Sequence, residues 1–179
     1  METSRALHEA LGSSQRLGLL GAKPIPEVIE HARRFVTALD GVAGEVVDIG
    51  AGGGVPGLVI AHDRPDLRLT LIDRRSKRTD FLERVVRRLG WGDRITVIAG
   101  DVEELVVSAP RGFDAVVARG FGPPDVTLEI GVALARRGGR VVISEPPGGD
   151  RWHSIPLASS GVVERGNQVA GVVVFTVLS

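Results

Sequence analysis

The segment Val46 to Gly57, VVDIGAGGGVPG, passes directly from β-branched apolar residues into five glycines, and it constrains the fold more than any other stretch. EVVDIG is too short and too β-branched for a helix and reads as a buried strand. Pro56 suits a first helical turn, and GLVIAHD around it supplies a short helix. A strand, a bare turn and a helix in that order belong to a parallel α/β sheet. The missing side chains let the backbone approach a ligand closely.

The rest of the chain repeats the alternation. LRLTLID predicts a second strand closing on Asp73, ITVIAGD a third, FDAVVA a fourth and GGRVVIS a fifth. Between them, SKRTDFLERVVRRLG places Phe81, Leu82, Val85, Val86 and Leu89 on one helical stripe, and VTLEIGVALARR predicts another helix. Upstream, Val28, Ile29, Ala32, Phe35, Val36 and Leu39 follow a helical period that stops near Gly41. The end departs from this pattern. Val162 to Arg165 and Val172 to Leu178 are joined by a polar turn around Gly166 and Asn167, which predicts an antiparallel hairpin on an otherwise parallel sheet. The expected fold is Rossmann-like α/β, a mostly parallel seven-stranded sheet with helices on both faces and a C-terminal antiparallel hairpin. Residues 1–40 read as an N-terminal helical extension packed on the core, and 41–179 as the main domain.

Composition removes several function classes. Zero cysteines among 179 residues exclude disulfides, thiolate metal sites and cysteine nucleophiles. No apolar run approaches the roughly 18 residues of a membrane span. METSRALHEALGSSQRLG lacks the apolar core of a secretory signal, so a cytoplasmic location is expected. The formal charge is zero, yet Arg74 to Arg94 holds eight basic residues against three acidic ones. His8, His31, His62 and His153 lie outside every motif and receive no catalytic role.

The glycines alone leave two ligands open. Gly52, Gly54 and Gly57 satisfy the dinucleotide pattern G-x-G-x-x-G, and Asp73 lies near the distance needed to hold a ribose, which supports NAD(P). Asp48, two residues before Gly50 at the strand end, would repel a pyrophosphate and attract a ligand ammonium. Gly100 and Asp101 close the third strand, where an adenine amino group finds an acceptor. With the terminal hairpin, the ordered set Asp48, Gly50, Gly52, Asp73 and Asp101 favours S-adenosyl-L-methionine in a class I methyltransferase fold.

Taken together, VDIGAGGGVPGLVIA, LTLIDRRSKRTDFLERV, VEEL and FDAVVARGF resemble the bacterial glucose-inhibited division protein B family, which methylates N7 of a guanine in small-subunit ribosomal RNA. The resemblance covers roughly Val28 to Ile143. It implies cofactor contacts at Gly50 and Val55 in the glycine loop, at Val102 and Glu103 after the third strand, and at Arg119 after the fourth. It also implies ribosomal RNA or the small ribosomal subunit as partner, with no metal, no membrane and a monomeric chain. Guanine N7 already presents a lone pair, so no general base is needed, and orientation of donor and acceptor carries the reaction. Two departures bear on the acceptor. SQRLGLLG stands where the family has Asn-Leu-Thr, and Glu145 and Pro146 stand where it has a lysine and glycine, which suggests an anion at the acceptor mouth and leaves a small-molecule acceptor as an alternative.

Overall fold

The computed structural model describes residues 2–146, 152, 163–166 and 169–178. Its strands are β1 (Glu45–Ile49), β2 (Arg68–Asp73), β3 (Ile95–Ala99), β4 (Phe113–Ala118), β5 (Ala135–Ser144), β6 (Val163–Arg165) and β7 (Val172–Val177). They form one sheet in the order β3-β2-β1-β4-β5-β7-β6. Neighbours among β1 to β5 run parallel, whereas β7 runs antiparallel to both β5 and β6. The arrangement is the expected parallel sheet with a C-terminal antiparallel hairpin. Described residues place the two hairpin strands at Val163–Arg165 and Val172–Val177, and Asn167 of the intended turn lies outside them.

Strand alternation divides the core between two faces. Val46 packs with Phe35, Leu58 and Leu82, while Val47 and Ile49 pack with Val102, Leu105 and Leu128. Helices α1 (Glu2–Arg16), α2 (Ile25–Ala38), α3 (Gly57–Asp63) and α4 (Ser76–Arg88) supply the first face, and α5 (Val102–Ser108) and α6 (Pro124–Leu134) supply the second. In α2 the buried residues Ile25, Val28, Ala32, Phe35 and Ala38 recur at three- and four-residue intervals, and Pro26 sits in the first turn, where its missing N–H is not needed. Helix α1 buries Leu7, Ala10, Leu11 and Ser14.

The helix expected through Arg137 ends instead at Leu134. Ala135 turns extended and opens β5, pairing with Phe113; the register then shifts so that Ala115 faces Arg140. Leu134 and Ala135 are both fully buried, so the chain must fold straight back onto β4 rather than continue outward as a helix.

Strand order makes β1 the pivot of the sheet. It lies between β2 and β4, so the segments leaving β1 and β4 diverge to opposite faces and open a crevice at the carboxyl edge. Every motif segment from the glycine loop to Arg119 leaves that edge.

Candidate functional site: a crevice at the carboxyl edge

The glycine loop is held in place by hydrogen bonds from elements distant in sequence. Ala51 N–H donates to the Ile72 carbonyl of β2 at 3.0 Å, and Gly52 N–H donates to Asp73 Oδ2 at 2.9 Å. Asp73 also accepts from Arg75 N–H at 3.0 Å and from Arg78 Nη1 at 3.1 Å. Beneath the loop, Gly57 N–H donates to Asp48 Oδ2 at 2.8 Å. Above it, Ser14 Oγ of α1 donates to the Gly53 carbonyl at 2.8 Å.

A crevice of about 350 Å³ opens beside this loop, lined by Gly50, Asp73, Asp101, Val102, Glu103 and Phe121 among others. That volume falls in the range of small-ligand sites. Gly50 has φ +70°, a left-handed conformation, and a β-carbon there would lie 2.8 Å from the Phe121 ring. Asp101 takes the N-cap position of α5 without making a side-chain cap bond, so its exposed carboxylate is available at the crevice wall. Sequence reasoning named Gly50, Asp73, Asp101, Val102 and Glu103, and the structure brings these five together. It missed Phe121, Gly120, Arg74 and Arg78, which also line the crevice. The aromatic in RGF was the available signal, because a bulky ring directly after a strand end must pack on whatever floor lies opposite.

Four named residues stand elsewhere. Gly52 commits its N–H to Asp73, and Val55 is buried beneath the loop. Asp48 corrects the expectation most plainly. It shares its face of β1 with Val46, the α1–α4 side, so its carboxylate lies fully buried under the loop at the start of α3, not bare at the strand tip facing a ligand. Its Oδ1 has no hydrogen-bond partner. Burial pushes Asp48 up to about 7, against the Gly57 N–H and the field of Arg119, with Asp73 adding to the rise. Arg119 is half-buried after β4 and makes no described hydrogen bond or ion pair; burial lowers its pKa, and the Asp48 carboxylate opposes that.

The acceptor mouth also differs from expectation. Glu145 is buried, and its Oε2 accepts a 2.6 Å bond from the Trp152 indole, so it is not an exposed anion that would repel a phosphate. The basic stretch of α4 and its flanks is partly spent on structure. Arg78 pairs with Asp73 and Arg88 with Glu9, while Arg94 donates to the Ala61 carbonyl and stacks over Trp91. Among the described residues no group of three His, Asp or Glu side chains could hold a metal, and no helix is long and apolar enough to cross a membrane.

With this geometry in place, the model of the family described as rRNA small subunit methyltransferase G matches residues 6–145. The chain belongs to that family. The protein of that name from Salinispora arenicola is 35% identical over 132 residues, which cover 70% of this chain and 54% of the relative. The chain therefore spans about half of that relative's length. A solved methyltransferase from Geobacter sulfurreducens has a TM-score of 0.66 at 17% identity, over 93% of this chain and 95% of that one, which shows the fold. A second from the same organism, a SAM-dependent methyltransferase in complex with S-adenosyl-L-homocysteine, has a TM-score of 0.56 at 27% identity, over 66% of this chain and 51% of that one. The rRNA small subunit methyltransferase G match starts inside α1 and ends at Glu145, so it takes in both the Ser14 strap over the loop and every crevice residue.

Proposed function

We propose that the chain is an S-adenosyl-L-methionine-dependent methyltransferase that acts on guanine N7 of small-subunit ribosomal RNA. The observation that carries this reading is the crevice itself, built by family-matched residues around a floor without side chains at Gly50.

The residues present fit the cofactor. The left-handed Gly50 leaves the floor bare, where any β-carbon would press on Phe121. Asp101 and Glu103 offer exposed acceptors for polar edges of an adenosine, and buried Val102 offers an apolar contact. Asp73 already accepts three hydrogen bonds; an ionised carboxylate has about four acceptor sites, so one remains for a ribose hydroxyl. Val55 and Gly52 act from beneath, by fixing the loop. Asp48 acts through its field on Arg119 and through its bond to Gly57, without direct contact.

When bound, the cofactor supplies an electrophilic methyl on a sulfonium. The chain's own task is then orientation, since guanine N7 has a free lone pair and no proton has to be removed. Holding two reactants in line contributes up to roughly 7–11 kcal/mol. Arg119, half-buried and without a described partner, directly precedes the crevice residues Gly120 and Phe121, and in this reading it faces the acceptor. Residues 1–40 serve in this reading as a helical extension that clamps the loop through Ser14.

The test is transfer of labelled methyl from the cofactor to small ribosomal subunits purified from a strain lacking the activity. Label at a guanine N7 is the expected result. Label in a metabolite pool with none in RNA overturns it.

A further inference from the structure

One group of side chains remains outside the crevice, at and before α2. Lys23 precedes α2, and His31 and Arg34 stand three residues apart on that helix. The His31 ring is half-buried against Phe35, with ring centroids 6.4 Å apart, and its Nδ1 is shielded from solvent with no hydrogen-bond partner. Arg34 lies against Gly171, where an added β-carbon would strike its guanidinium. Gly171 sits immediately before β7, and its carbonyl accepts from Glu145 N–H at 2.9 Å, which places Arg34 beside the carboxyl end of β5. Neither Lys23, Arg34 nor Arg119 makes a described side-chain hydrogen bond or ion pair.

Ala118 pairs with Ile143 across β4 and β5, so Arg119 leaves the sheet beside Ser144 and Glu145, at the edge that Arg34 reaches through Gly171. In keeping with that placement, burial and then the positive fields of Arg119, Arg34 and Lys23 hold His31 below its ordinary range. Asp48 sets a carboxylate field against Arg119, whereas Lys23 and Arg34 have no described counter-charge. Cations gathered at one edge repel one another, and an anion joining them lowers that repulsion. The His31 imidazole, three residues from Arg34 on the same helix and held below its ordinary pKa, adds a donor with little added repulsion.

We infer that Lys23, His31 and Arg34, together with Arg119, form a phosphodiester-binding site on the acceptor side, which seats the RNA backbone next to the target nucleotide. This rests on the ribosomal RNA reading and locates its electrostatic contact on α2 rather than on the more basic α4. On α4, Arg78 is committed to Asp73 and Arg88 pairs with Glu9, whereas the α2 group adjoins the edge where β4 and β5 end.

The experiment compares K23Q/R34Q with R84Q/R87Q, two variants of equal charge change on α2 and α4. Binding of unmodified small-subunit ribosomal RNA is measured across salt concentrations, and adenosylhomocysteine binding by calorimetry. The expected result is a salt slope smaller by about 1.4 to 1.8 for K23Q/R34Q, the equivalent of two lost phosphate contacts, with cofactor affinity unchanged. In transfer assays KM for RNA rises while kcat holds, and H31Q retains more RNA affinity than H31A because it keeps a donor. An unchanged slope in K23Q/R34Q alongside normal RNA binding by the wild type overturns the site and leaves the function standing. Failure of the wild type to bind or methylate RNA overturns both.

Discussion

The hydroxyl of Ser14 in α1 donates to the carbonyl of Gly53, so a helix at the start of the chain holds the third glycine of a loop that follows β1. Ser14 is fully buried, and a β-carbon on Gly53 would strike both its hydroxyl and the Leu19 carbonyl. Ser14→Ala leaves a buried carbonyl without its partner, at a cost of about 1–3 kcal/mol. The expected outcome is a lower denaturation midpoint together with weaker adenosylhomocysteine binding. The Ser13 hydroxyl bonds only within its own helix, donating to the Glu9 carbonyl and accepting from Arg16 Nη2, and Ser13→Ala should change neither measurement.

Gly50→Ala combines two penalties. The backbone at φ +70° disfavours any side chain, and the new methyl meets the Phe121 ring at 2.8 Å. Loss of cofactor binding is expected by calorimetry, with a smaller loss of stability. Adding Phe121→Ala relieves the contact but not the backbone strain, so the double variant should regain folding stability more fully than affinity. Full affinity in Gly50→Ala would contradict the assignment of Gly50 as the cofactor floor.

How much of this was legible follows from the range over which each signal acts. Strands β1 to β5 and helices α2 and α4 are written in local period and local turn chemistry, and Gly50, Asp73 and Asp101 follow from their places at strand ends. The hairpin was legible because a polar turn, too short for a helix, separates two β-rich runs. What was not legible depended on which face a strand presents. Asp48 stands at the right place in sequence, but alternation in β1 turns it toward α3, and only the packed structure shows Gly57 meeting it. Glu145 is the same kind of case, since its charge was visible while Trp152, the residue that buries it, was not inferable as a partner. His31 had no motif around it; its relation to Arg119 is made by a helix crossing the sheet edge, some ninety positions away in the chain.

Asp73 and Asp101 both border the crevice, yet they do different work. Asp73 is buried and holds Gly52, Arg75 and Arg78 together, whereas Asp101 is exposed and makes no described side-chain hydrogen bond. Asp73→Asn turns an amide NH2 toward groups that are already donors, so it should cost about 3 kcal/mol or more and disorder the loop. Asp101→Asn should leave the unfolding midpoint within about 0.5 kcal/mol of wild type while lowering cofactor affinity. Paired thermal unfolding and calorimetry separate the two, and equal stability losses in both variants would contradict this division.

Asp48 ties the pH dependence of folding to one buried group. Its pKa rises from 3.8 to about 7 in the folded chain, so between those values the folded state binds a proton that the unfolded state has released. The stability this contributes is complete below pH 3.8 and is lost as pH climbs through about 7. Across that window the loss is of order 4 kcal/mol, at about 1.4 kcal/mol for each unit of pKa difference. Asp48→Asn removes the titration. It keeps an oxygen for Gly57 N–H but places an amide NH2 where Oδ1 has no partner, so the absolute stability of the variant is less informative than its slope. Urea midpoints measured between pH 5 and pH 8 should therefore fall more steeply for wild type than for Asp48→Asn. Parallel curves would show that Asp48 titrates at its ordinary pKa and that Arg119 already stabilises its charge.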